Sequence, residues 1–276
     1  MSLNIIWLTT LAVVIASGIV ILATIIFFLR RIKNMRQWQD IYLTLTYIIS
    51  GCGLIIPGLA DLLFIPLFGN TPETQAILLA LWRGYLLTNF LYLLPLAAFA
   101  KMTFRSNSRI ATVFLYILMF LGGITSAFIL IDLRFSLFWD ETTWILLYEY
   151  ENLLSISYIG LLIFLTIPWF SYEALRLYIS ERRKKNPNPI QLRRFMLLML
   201  SGITLLVTLI MSMTVLGAYG DPSAVDPLLA LFFYTQPILL TDAFVIFSSL
   251  GWIMPSFVKR GVDTKKINPK TESGGM

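Results

Sequence analysis

Ionisable side chains inside long apolar stretches are the residues of this chain best placed to do chemistry, because an isolated charge there is costly. Asp242 lies 15 residues after Pro227 and 13 before Pro255, near the middle of one such stretch. A carboxylate there suits a proton site, a cation site or the counter-charge of a cationic ligand. The alternative is a protonated aspartate hydrogen-bonded to a neighbouring helix. Tyr234 shares its helical face, and Gln236 lies on the same helix.

A second candidate site consists of Asp61 and Arg83, which lie on either side of a short loop between two apolar stretches. Both therefore fall at a similar depth, and an ion pair between them is geometrically reasonable. Such a pair either fixes the helical hairpin or takes part in binding a ligand or an ion, and the sequence leaves both readings open.

Two further carboxylates, Glu149 and Glu151, open a later apolar stretch among tyrosines. Aromatic residues often form a belt at a membrane interface, and carboxylates at a helix N-terminus are favoured by its dipole. The alternative is an acidic mouth for cations, which Asn89 could help to line.

The elements that would position these residues are transmembrane helices. The chain is 58% hydrophobic and 13% charged, whereas soluble domains carry about 25% charged residues. A membrane-spanning helix needs about 20 largely apolar residues. Seven stretches qualify: 5–29, 41–67, 76–100, 110–131, 144–175, 195–217 and 227–255. The sequence therefore predicts an all-α membrane protein, a single seven-transmembrane-helix bundle over residues 1–258.

The distribution of basic residues predicts the orientation, since short basic loops stay cytoplasmic. Of the 21 lysines and arginines, 19 fall in the loops after stretches 1, 3 and 5 and in the tail after stretch 7. The opposite loops are acidic. We therefore expect the N-terminus outside and the C-terminus in the cytoplasm, with residues 259–276 as a basic disordered tail. The basic face would contact anionic lipids of the inner leaflet.

The loop between stretches 5 and 6 carries the densest positive charge, and we expect it to contact a cytoplasmic partner or lipid. The candidate residues are Arg182, Arg183, Lys184, Lys185, Arg193 and Arg194.

Several classes of function are excluded. The chain has no histidine and one cysteine, which removes histidine-based catalysis, histidine zinc sites, bis-histidine haem and disulfides. We therefore expect no enzyme activity, catalytic residue, metal site or cofactor. No lysine lies in the last apolar stretch, which excludes a retinal pigment. The basic residues are spread over four segments, which does not favour nucleic-acid binding.

The arrangement resembles the seven-helix sensory region found at the N-terminus of some prokaryotic histidine kinases. The similarity lies in three features: a short outer N-terminus; a third helix with Trp82 and Leu93-Leu94-Pro95 that ends at Lys101-Met102-Thr103-Phe104-Arg105; and an arginine-rich loop leading to Gln191-Leu192-Arg193-Arg194. The chain has no kinase part. The resemblance implies a stand-alone sensor or receptor-like module that needs a separate cytoplasmic partner.

Three functions remain open. The first is a sensor that binds a small molecule or cation, or senses the membrane, and signals through its basic loops. The second is a small secondary transporter, or proton- or cation-coupled carrier, that uses Asp242. The third is a non-catalytic structural membrane subunit.

Overall fold

The structure is a computed structural model. It describes residues 5–35, 37–132, 135–140, 145–150, 153–218, 235–236 and 238–253. Asn89, Glu151, Tyr234 and the tail from residue 259 fall outside the side chains or segments that it describes.

Helices make up almost all of the described part of the chain. They are α1 (Ile5–Met35), α2 (Trp38–Phe68), α3 (Pro72–Leu91), α4 (Leu93–Phe104), α5 (Arg109–Asp132), α6 (Leu153–Arg182), α7 (Pro189–Ala218) and α8 (Ile238–Ile253). A two-stranded antiparallel hairpin, β1 (Phe135–Asp140) and β2 (Ile145–Tyr150), lies between α5 and α6.

Among the described residues, five helices are long and apolar enough to cross a membrane: the spans Trp7–Lys33, Trp38–Phe68, Arg109–Ile131, Ser157–Arg182 and Pro189–Thr208. Their outward faces carry large apolar side chains; Ile110 is 83% exposed and Phe120 69%. Polar side chains such as Thr10 and Thr125 are instead fully buried. Apolar side chains outside and polar ones inside suit a helical protein whose solvent is lipid.

The third predicted stretch, 76–100, is divided in the structure. Helix α3 ends at Leu91, and α4 begins at Leu93 after a turn at Tyr92. Pro95 explains the break, because proline has no N–H to donate to the carbonyl of Leu91 and its ring clashes with that carbonyl.

The predicted start of the fifth stretch at Trp144 is corrected by the hairpin. Residues 145–150 form β2, in which Glu149 pairs with Ser136 of β1, and helix α6 begins only at Leu153. The two strands are rich in aromatic residues, which favour strands over helices. Glu149 therefore does not open a helix, and its side chain lies outside the described set.

The helix ends that the charge pattern assigns to the cytoplasm lie together at one end of the bundle. Phe99, near the end of α4, packs edge-on against Trp252, near the end of α8, with 5.2 Å between the two ring centroids. Arg194, early in α7, lies over the same ring, and Trp252 also bonds to Asp40 at the start of α2. We call this the basic end of the bundle. The starts of α2 and α7 and the ends of α4 and α8 therefore lie close together.

Candidate functional site

Helix α8 presents a polar face to α1 and α2. Asp242, Ser249 and Trp252 recur at helical spacing, and Ser248 lies beside them. Each of these four side chains makes a hydrogen bond to a residue of α1 or α2. The face therefore joins the last helix to the first two.

Asp242 is bonded to α1. The hydroxyl of Ser17 donates a hydrogen bond of 2.7 Å to Oδ1 of Asp242, and Ser17 is 1% exposed. From the sequence, Asp242 was predicted as a proton or cation site, or as a protonated aspartate bonded to a neighbouring helix. The partner that the structure gives it lies on the first helix.

Further along α8 from Asp242, towards the basic end, the hydroxyl of Tyr47 on α2 lies between two serines of α8. Ser249 Oγ donates to the Tyr47 oxygen at 3.0 Å, and the Tyr47 and Ser248 hydroxyls are 2.7 Å apart. Ser248 also donates to the carbonyl of Phe244 at 2.6 Å, which leaves Tyr47 as the donor to Ser248. Tyr47 is fully buried, and its ring packs edge-on against Phe28. All the polar atoms of this group are thus satisfied.

At the basic end, Asp40 accepts two bonds. Its Oδ2 lies 2.9 Å from Nε of Arg31, and its Oδ1 accepts the indole N–H of Trp252. Asp40 is 0% exposed and the Arg31 side chain 13%. This carboxylate therefore connects α1, α2 and α8 at a single point.

Helix α7 joins the same group through Arg194. Its guanidinium carbon lies 4.4 Å from the centroid of the Trp252 ring, a cation–π contact. Its Nε is buried and has no hydrogen-bond partner in the described part of the chain. The two helices approach closely here, because a Cβ on Gly251 would lie 3.1 Å from the carbonyl oxygen of Arg194. Only glycine at position 251 fits this approach without displacement.

Together these groups form a row along α8 that we call the polar seam. It consists of Ser17, Arg31, Asp40, Tyr47, Asp242, Ser248, Ser249 and Trp252. From Asp242 to Trp252 it extends about 15 Å, or half of a hydrocarbon core of about 30 Å. The described residues contain no group of three His, Cys, Asp or Glu side chains that could hold a metal ion. The seam is a hydrogen-bonded link between helices.

The structure describes only some of the other predicted site residues. Asp61 is buried at 2% exposure and Arg83 is exposed, and their ion pair stays a prediction. Gln236 is 8% exposed, and neither its amide nitrogen nor its amide oxygen has a partner in the described part of the chain. An unpaired buried amide is costly. Among the predicted residues, Gln236 therefore has the clearest unmet need for a polar ligand or water.

The basic loop between α6 and α7 is a structured turn. Glu181 binds Nζ of Lys184 at 2.6 Å and accepts a bond of 3.0 Å from the backbone N–H of Asn188. The Asn188 side chain accepts a bond of 3.0 Å from the N–H of Ile190 at the start of α7. Five of the six predicted contact residues are exposed: Arg182, Arg183, Lys184, Lys185 and Arg193.

Arg194 is the exception and corrects our prediction of a surface contact. Its side chain packs on Trp252 inside the bundle, one helical position beyond the exposed Arg193. Adjacent residues of a helix point about 100° apart. Arg193 can therefore face the surroundings of the bundle while Arg194 faces its interior.

Three carboxylates of the basic end were not predicted as site residues: Asp40, Glu173 and Glu181. Each is buried, and each bonds to a basic side chain. A signal was present, because these are acidic residues in segments where nearly every other charge is positive. Carboxylates that break a basic pattern are thus candidates for buried partners.

A comparison with models of known protein families finds no match, and no functionally curated protein matches the chain at a significant level.

Proposed function

We propose that the chain crosses the membrane seven times, with its N-terminus outside and its basic end in the cytoplasm. The five long apolar helices support five of the spans. The α3–α4 pair and α8, a shorter apolar helix, would supply the other two. This arrangement would put 19 of the 21 basic residues on one side of the membrane, and the positive-inside rule supports the orientation that makes that side cytoplasmic.

We propose further that this bundle is a sensor or receptor-like protein that signals to a separate cytoplasmic partner. The polar seam is the observation that carries the proposal. It joins a half-buried carboxylate, Asp242, to a sealed ionic group at the basic end through bonds on a single helix. A ligand that favours one packing of α8 over another would thereby change the basic end.

The ligand would be a small molecule or cation bound in the outer half of the bundle. Gln236 supplies a buried amide whose donor and acceptor are both unpaired in the described region, and Asp242, six residues further along the chain, supplies a carboxylate. Asp61, Asn89, Glu151 and Tyr234 remain candidates to complete such a site.

The partner would bind the exposed basic residues 182–185. These side chains project from a turn that Glu181 and Asn188 hold in place, so the charge has a defined position. An acidic surface of a cytoplasmic protein is the complement that this turn favours.

The test uses the purified full chain in lipid nanodiscs, with tetramethylammonium and a panel of organic cations as probes. We expect a concentration-dependent rise in unfolding temperature that Asp242→Asn and Gln236→Ala abolish. Tyr47→Phe is the control. Tyr47 lies nearer the basic end than the proposed ligand site, so this variant should still bind the probe. A chain that no probe stabilises, or whose stabilisation survives both substitutions, would contradict the ligand site.

Signalling is tested by copurification from the native membrane. Neutralising Arg182, Arg183 and Lys185 to glutamine should remove a bound cytoplasmic protein. The matched control is Arg30→Gln with Lys33→Gln, which removes charge from another exposed segment of the basic end. Loss with both sets of changes would indicate a general charge effect and count against a specific partner site.

A carrier is the second candidate, and the Ser17–Asp242 bond is the observation that favours it. A hydroxyl donor 2.7 Å from a carboxylate within a membrane bundle could hold a site through which a proton or cation passes. Proteoliposomes containing a pH-sensitive dye distinguish the two: a carrier gives gradient-driven flux that Asp242→Asn abolishes, whereas a sensor gives none above empty liposomes. A chain with neither flux nor ligand nor partner would be a structural subunit.

A further inference from the structure

A groove opens at the basic end between α5 and α6. Its volume is about 340 Å³, which lies at the lower end of the range for small-ligand pockets. Its lining residues are Arg105, Ser108, Ile110, Ala111, Phe114, Trp169 and Glu173. The rings of Phe114 and Trp169 pack edge-on, with 5.0 Å between their centroids. The groove is thus an apolar slot with charged groups at one end.

The charged end carries an excess of positive charge. Glu173 is 4% exposed and accepts one bond from Arg105 and one from Arg176, each at 2.9 Å. The two arginine side chains are 38% and 37% exposed. Two guanidinium groups share a single carboxylate, which leaves one net positive charge at the mouth of the slot.

The position of the groove fits the membrane interface. Arg105 follows the last residue of α4, and Arg109 begins α5, so both lie where the apolar helices end. Ile110, at the rim, is 83% exposed and faces the surroundings of the bundle. Tryptophan and arginine are favoured at this depth. The slot therefore opens towards lipid at its apolar end and towards headgroups at its charged end.

We propose that this groove binds an anionic phospholipid of the cytoplasmic leaflet. Part of an acyl chain would lie against Ala111, Phe114 and Trp169, and the phosphate would bind the exposed faces of Arg105 and Arg176. Guanidinium groups bind phosphate strongly. Apolar walls match an acyl chain, and the excess positive charge selects an anionic headgroup. This lipid site rests on the proposed orientation of the chain in the membrane, but on neither ligand sensing nor transport.

The test measures lipid retained by the delipidated full chain after incubation with an equimolar mixture of phosphatidylglycerol and phosphatidylcholine, by native mass spectrometry. The wild-type chain should retain phosphatidylglycerol preferentially. Ala111→Phe fills the slot and should reduce that retention about tenfold. Val113→Phe is the matched control, since Val113 is 57% exposed on the same helix and does not line the groove. It should retain lipid as the wild type does.

A second pair of variants tests the charge. Arg176→Gln leaves Glu173 paired with Arg105 and should lower the preference for phosphatidylglycerol about fivefold, the effect of one basic group at a membrane surface. Arg30→Gln, at an exposed position of α1 outside the groove, should leave the preference unchanged. The proposal is overturned by equal retention of both lipids, by full retention in Ala111→Phe or Arg176→Gln, or by equal losses in either control. Circular dichroism melting establishes that each variant is folded.

Discussion

Two buried carboxylates at the basic end of the bundle, Asp40 and Glu173, each accept bonds from two donors but lie in opposite surroundings. Asp40 is fully enclosed, with one arginine that is 13% exposed and one indole N–H as its donors. Glu173 has two arginines as donors, each more than a third exposed, beside an open groove. One carboxylate is enclosed and bonded to a single arginine; the other lies beside an open groove and is bonded to two.

The difference shows how a single set of basic ends can serve two purposes. Around Asp40 the carboxylate and its two donors are enclosed, so they join α1, α2 and α8 and offer little to a ligand. Around Glu173 one positive charge is left over at a surface, so it is available to an anion. The number of basic partners for each carboxylate, together with their exposure, distinguishes a link between helices from a binding group.

The largest expected effect comes from removing the sealed carboxylate. Asp40→Ala removes, in an enclosed site, the acceptor of Arg31 Nε and of the Trp252 indole N–H, and the free energy of unfolding should fall by about 3–5 kcal/mol. Glu173→Ala should cost only about 1 kcal/mol, because its arginines can reach water. Equilibrium unfolding in mixed micelles measures both. Equal losses would break the comparison.

The next effect isolates one donor to Asp40. Trp252→Phe keeps an aromatic ring beneath Arg194 but removes the N–H, and should cost about 1.5–3 kcal/mol, the range for a hydrogen bond to a charged group. Trp38→Phe is the control, since Trp38 is 62% exposed and lies only two residues from Asp40. Its cost should stay within about 0.5 kcal/mol. A similar loss in both variants would show that the indole bond does not matter.

A smaller effect is expected at Tyr47, in the part of the polar seam between Trp252 and Asp242. Tyr47→Phe removes one hydroxyl that joins Ser248 and Ser249, and should cost about 1 kcal/mol, near the average for hydrogen bonds between membrane helices. Tyr116→Phe, at a side chain that is 65% exposed, should change unfolding very little. The same micelle titration separates the two. A neutral Tyr47→Phe would mean that this part of the seam adds no stability.

The smallest effect on stability is expected for exposed arginines of the basic end. Arg182→Gln with Arg183→Gln should change the free energy of unfolding by less than about 0.5 kcal/mol, because both side chains are solvated. Arg194→Gln, close by on α7, should cost more, since it removes the contact with the Trp252 ring. Indistinguishable stabilities for the two variants would contradict the buried position of Arg194.

Much of the helical architecture could be predicted from the sequence. Apolar length located the long helices, and the positions of lysine and arginine indicated which helix ends would lie together. The break before α4 was less visible, because membrane helices often tolerate a proline such as Pro95. The hairpin at 135–150 was missed, because its aromatic residues also suit the interfacial end of a helix.

The partners in the polar seam could not be predicted, and the reason is physical. Serine and threonine on a helix can donate to a carbonyl one turn earlier, as Ser126 does to Gly122 and Thr46 does to Tyr42. The sequence does not reveal which hydroxyl will instead bond across helices, as Ser17 does to Asp242. Asp242 could be singled out by its depth, but its partner depends on how α8 packs.

The central claim, an oriented seven-span bundle, is tested most directly by cysteine labelling. With Cys52 replaced by alanine, single cysteines are introduced at Ser2, Asn70, Asn107, Asn186 and Ser273, and intact cells are treated with a membrane-impermeant maleimide. We predict labelling at Ser2 and Asn70 only, with the other three labelled after permeabilisation. Labelling at Ser273 in intact cells, or at Asn107 or Asn186, would contradict the seven-span orientation.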